Sequence, residues 1–239
     1  MFSAFSFGKI IKTILPGAIL AAALLLIAEG LWGLCRPTEG FLLGKISKDW
    51  ITSFTAALIP LSLILGFFLN TFAWMTLNSR IRERSAEALK NTAYAALRVK
   101  LTEVLSADSG GYFAKLGKPL PAVSFPSPPT LEYFYLPAVN LTNLNYLWES
   151  YFCWYEFDIN SAAALVLFVP AAGFLLWVKL QHSLILFIGL ILLLLALSCA
   201  LYKMLKLAAV KNMVSYEKNL MLLITGALTS AVKNVQPPA

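Results

Sequence analysis

SLILFIGLILLLLALSCALYKML, residues 183–205, decides the fold. Between residues 184 and 202 it holds no Asp, Glu, Lys or Arg, and about 20 residues of helix cover the roughly 30 Å hydrocarbon core of a bilayer. A helix in water would keep one polar face, and this stretch offers none, so its solvent is lipid. Three further stretches of similar character lie upstream, at residues 11–34, 50–77 and 161–178. The third is the shortest, but the apolar and aromatic residues before it allow one helix to run on into it. The whole composition agrees. Of 239 residues, 59% are apolar and 13% charged, against roughly 25% charged in an ordinary soluble domain, and mean hydropathy is +0.74.

The basic residues orient these spans, because Lys and Arg close to span ends stay on the cytoplasmic side. With the N-terminus inside, fifteen of the nineteen Lys and Arg are cytosolic, and only Arg36, Lys45, Lys48 and Lys179 fall outside. Lys9 and Lys12 precede the first apolar run as in a signal peptide. That run flows into Glu29-Gly30-Leu31-Trp32 without a small-residue cleavage site, so an uncleaved first span is expected. The expected fold is all-α: a polytopic helical membrane protein with four transmembrane helices in two hairpins, N-in/C-in, and amphipathic cytosolic helices. Residues 1–77 form the first hairpin, 78–160 a cytosolic segment, 161–205 the second hairpin and 206–239 a cytosolic tail. The sequon Asn140-Leu141-Thr142 then faces the cytosol and goes unused. The membrane is expected to be a bacterial inner membrane or a plasma membrane.

Within 78–160, the basic opening Arg80, Arg82 and Arg84 leads into apolar residues at helical spacing, among them Ile81, Leu89, Leu97 and Leu101, so a helix is expected over 78–105. Residues 106–130 contain Gly110-Gly111 and five prolines and read as a loop. Ten of the chain's 31 aromatics follow between residues 133 and 157. Of these, Trp148, Tyr151, Trp154 and Tyr155 are expected in the headgroup layer, where a ring with one apolar and one polar end is most at ease. Glu149, Glu156 and Asp158 lie among them, at a depth that suits pairing with Arg80, Arg82 and Arg84. In the tail, Met213, Leu220, Met221, Ile224 and Leu228 fit a helical stripe suited to packing on the 78–105 helix or on another copy.

Ionisable groups inside a bilayer are costly, and Glu29 is the one acid placed within a span; Arg36, seven residues on, lies on nearly the same face. Along the second span, Thr55, Ser62, Gly66 and Asn70 make a narrow stripe of small and polar residues. Such a stripe suits close helix contact, or the lining of a pore when several copies assemble. Pro16, Pro60 and Pro170 interrupt three spans and each frees a backbone carbonyl.

Other chemistry lacks its residues. Cys35, Cys153 and Cys199 are far apart and odd in number, and His182 is the single histidine, so no disulfide framework, His-based catalytic triad or Cys/His metal site is expected. No phosphate-binding glycine loop, metalloprotease motif or nucleophile elbow occurs, and no catalytic residue, cofactor or metal is assigned. The net charge of +7 is a topology signal beside the spans, so nucleic acid is not an expected partner. The expected function is that of a non-enzymatic membrane subunit acting by assembly, with itself or with a cytosolic protein. A pore or membrane-perturbing effector is the alternative, and an enzyme acting at the lipid interface ranks third.

Overall fold

A computed structural model describes residues 7–36, 42, 48–90, 96, 141–181 and 183–235. Among these the chain is all-helical, with no strand. Helix α1 is Phe7–Cys35 and α2 is Lys48–Ala73; α2 passes through a π-helical turn, Trp74–Asn78, into α3, Ser79–Lys90. A short α4, Leu141–Leu147, passes through a second π-helical turn, Trp148–Phe152, into α5, Cys153–Leu180, and α6 is Leu184–Val235. Four stretches are long and apolar enough to cross a membrane: Ile11–Cys35, Ala56–Leu89, Thr142–Leu180 and Leu184–Ala227. The protein is therefore a multi-pass integral membrane protein. The loop at 106–130, the remainder of the helix expected over 78–105, and His182 lie outside the described residues.

The helical run that enters the third span begins at Leu141, well before the apolar stretch at 161–178, as the residues preceding that stretch allow. Hydropathy locates the segment that prefers lipid, whereas a helix ends where its backbone bonding is interrupted, and residues 141–169 contain neither Gly nor Pro. The same reasoning explains the 52 residues of α6, which stop shortly before Pro237. At 1.5 Å per residue that helix is about 78 Å long, more than twice the hydrocarbon thickness. The first π turn coincides with local competition for backbone carbonyls, since the Thr71 and Thr76 hydroxyls donate to Phe67 O (3.2 Å) and Phe72 O (2.7 Å) around it.

The chain divides into two units, Met1–Ile81 with Cys153–Val210 and Arg82–Phe152 with Lys211–Ala239. In the first, α1 is held between α2 and α5. A Cβ on Gly17 would lie 1.8 Å from Ser62 O, and one on Gly66 would lie 2.1 Å from Thr13 O, so the two backbones touch and run in opposite directions. Gly30 faces Phe174 and Gly33 faces Val178, which makes α1 and α5 run in the same direction. The buried surfaces are built largely of small residues: Ala21 and Ala23 on α1, Ala73 on α2, and Ala162, Ala163, Ala164 and Ala171 on α5. In lipid no hydrophobic force draws apolar helices together, so close van der Waals fit between small residues has to hold them.

The membrane part of α6 differs. Leu184, Ile185, Ile188, Leu193, Leu195, Leu197 and Leu201 are exposed and cover most of the helix circumference, with Ser198 buried. In the second unit, Met213, Tyr216, Leu220, Met221 and Ile224 form a buried stripe on the later part of α6, and the Tyr216 ring meets Phe152 at 5.2 Å. Ser85 and Leu89 of α3 and Leu147 of α4 are also buried.

Candidate functional site, a polar node among apolar helices

The polar groups of the membrane core gather at one end of the α1, α2 and α5 packing. Pro16 has no backbone N–H, so the carbonyl of Lys12, four residues earlier, loses its helical donor. Asn160, 1% exposed, takes that place, its Nδ2 donating to Lys12 O at 3.1 Å. The same amide group donates to Asn70 Oδ1 on α2, also at 3.1 Å. One α5 side chain thus ties together a broken turn of α1 and the end of the small-residue stripe on α2.

The Lys12 ammonium bonds to the Glu156 carboxylate one turn before Asn160, with side chains 17% and 9% exposed. Burying a cation and an anion is tolerable when each neutralises the other and further hydrogen bonds complete the set, and this pair sits beside such bonds. Tyr155, fully buried, donates its hydroxyl to Asn78 Oδ1 at the last residue of the first π turn. Asp158 and Ser161 are buried on the same helix. Asn160 Oδ1 and Ser161 Oγ are buried without a protein hydrogen-bond partner.

At the other end of the α1–α5 contact the charges are exchanged. Glu29 on α1, buried, lies 3.7 Å from Lys179 Nζ on α5 and accepts the Leu42 backbone N–H at 3.1 Å. Arg36 places its guanidinium 4.7 Å above the Trp32 ring.

The residues singled out in the sequence fall as follows. Ser62 and Gly66 are buried against α1 and Asn70 is bonded to Asn160; Thr55 is in α2, but its side chain lies outside the described ones. Glu156 takes Lys12 as its partner, whereas Arg80, Arg84 and Glu149 are exposed and Arg82 is half-buried. Trp154 is exposed with its edge against Phe157 at 5.8 Å, Trp148 stacks on Phe152 at 6.3 Å, and Tyr151 is half-buried. Tyr155 points inward rather than toward a headgroup layer. The sequence reading missed Lys12 and Asn160 as members of a site. A proline four residues after a lysine, and an asparagine directly before the uncharged stretch at 161–178, were the available signals.

Chemically, this node fixes helix register and neutralises buried charge. Among the described residues no group of three His, Cys, Asp or Glu is placed to hold a metal ion. No family model, curated protein or solved structure matches the chain.

Proposed function

We propose that the chain is a four-span membrane subunit, N-in/C-in with its spans in two hairpins, that acts by assembly rather than by catalysis. The observation that carries this reading is α6. A helix of about 78 Å exceeds what a bilayer needs by more than 40 Å, and on its later part the stripe from Met213 to Ile224 is buried within the chain's own second unit, so the surplus helix helps build a folded body rather than a span. Much of the length of α6 is thus spent on helix beyond what crossing the bilayer requires, as an anchoring or scaffolding subunit requires. Its partner is another copy or a cytosolic protein, in a bacterial inner membrane or a plasma membrane.

The pore alternative draws less support. Ser62 and Gly66, the residues best suited to line a path, are buried against α1 of their own chain. Purification from the native membrane in mild detergent, followed by native mass spectrometry, tests the proposal. A stoichiometric companion or a defined homo-oligomer is expected. A chain that stays monomeric and alone at membrane-like concentrations would refute it, and ion flux through liposomes holding a closed homo-oligomer would transfer support to the pore.

A further inference from the structure

Two open grooves flank Pro170 on the membrane surface of the first unit, and they differ in charge. One, about 510 Å³, runs between α1 and α5 past Leu20, Leu24, Leu31, Leu167 and Phe174, and every lining side chain is apolar. The other, about 290 Å³, runs between α5 and α6 past Leu165, Val169, Leu195 and Cys199 and ends at Tyr202 and Lys203. Lys203 is the first charged residue of α6. It follows Leu184 by nineteen residues, or about 28 Å, which places it at a bilayer's polar boundary when Leu184 lies at the opposite one. Lys206 adds a second ammonium, 5.8 Å from the Tyr202 ring. The wall is therefore apolar where acyl chains lie and cationic where headgroups lie.

We propose that this α5–α6 groove binds one anionic phospholipid, an acyl chain lying along Leu165, Val169, Leu195 and Cys199 and the phosphate meeting Lys203 and Lys206. A cation at the polar boundary favours an anionic headgroup, and the apolar wall adds no preference among headgroups, so selectivity resides in the two lysines. The groove between α1 and α5 lacks such a cation and takes acyl chains without regard to headgroup. This site is independent of the assembly proposed above.

The test uses the full chain reconstituted in mixed phosphatidylcholine and phosphatidylglycerol vesicles, extracted gently, with retained lipids counted by native mass spectrometry. One phosphatidylglycerol per chain is expected in preference to phosphatidylcholine. Lys203→Gln should reduce that preference about fivefold, as loss of one surface cation does, and Lys206→Gln should act in the same direction. Cys199→Trp, at an exposed position, should fill the groove and abolish the retained lipid whatever its headgroup. Lys218→Gln, on the later part of α6, should change nothing. Equal retention of both lipids, or an adduct count unmoved by Lys203→Gln and Cys199→Trp, would overturn the proposal. So would a lipid-free oligomer that Cys199→Trp dissociates, because the occupant would then be a second copy.

Discussion

Asn160 on α5 supplies Lys12 O on α1 with the hydrogen bond that Pro16 withholds, at 3.1 Å. A proline inside a membrane helix is tolerated when a neighbouring helix re-satisfies the carbonyl it frees, and here the donor comes from a different span, far away in sequence. The two residues are consequently coupled in energy. Asn160→Leu should cost about 1–3 kcal/mol, because it strips donors from Lys12 O and from Asn70 Oδ1 together. In a Pro16→Ala background the new alanine returns an N–H to that carbonyl, and the same substitution should cost measurably less. Thermal unfolding of the four proteins of the cycle in one detergent checks this, with a coupling of about 0.5 kcal/mol or more expected.

Lys12 and Glu156 sit close to the same node, and their pairing yields a second prediction. Glu156→Met leaves the Lys12 ammonium buried beside an apolar side chain and should destabilise the chain by about 3–5 kcal/mol. Adding Lys12→Met removes the stranded charge and should recover most of that loss, because an apolar pair of similar volume packs in lipid without desolvation cost. A double mutant no more stable than Glu156→Met would show that the pair does not act as a unit.

Much of this architecture was legible in the sequence because lipid imposes one strong rule, about 20 apolar residues per crossing, which the uncharged run at 184–202 meets openly. The Ser62, Gly66 and Asn70 stripe was legible for the same reason, since small and polar residues stand out on an apolar helix. Its partner was not. Periodicity assigns a face to each residue but not the helix opposite, so Thr13, Gly17 and Asn160 emerged only from packing. Opposite charge and similar depth suggested the arginines after α2 as partners for Glu156. Depth cannot choose among helices, however, and Glu156 meets Lys12 on the parallel α1.

The glycines give a third prediction, with one sign at Gly17 and Gly66 and the opposite sign at Gly189, all in apolar helices. Gly17→Ala places a methyl group 1.8 Å from Ser62 O, a backbone atom with nowhere to go, so α1 and α2 must separate. Overpacking of this kind typically costs about 1–3 kcal/mol, and Gly66→Ala, 2.1 Å from Thr13 O, should behave alike. Gly189→Ala meets nothing within 4 Å and should stabilise α6 slightly, by up to about 1 kcal/mol, through helix propensity alone. Melting temperatures in detergent should fall for the first two variants and hold or rise for the third. A fall for Gly189→Ala would reveal a partner packed against the membrane face of α6.

The cysteines test the proposed orientation in the intact protein. Cys35 ends α1 and is exposed, Cys153 is buried at 2%, and Cys199 is exposed four residues before Lys203, on the membrane part of α6. A charged thiol reagent needs water around the thiolate, so it should modify Cys35, fail at the buried Cys153 and fail at Cys199, which faces acyl chains. With the N-terminus inside, Cys35 is the last residue of the first span, at its outer end. Intact cells treated with a membrane-impermeant maleimide should therefore yield one label per chain, lost in Cys35→Ser. Inverted membrane vesicles should yield none until detergent is added. Labelling of Cys35 from the inner face alone would reverse the orientation and put Lys12, Lys203 and Lys206 on the outer side of the membrane.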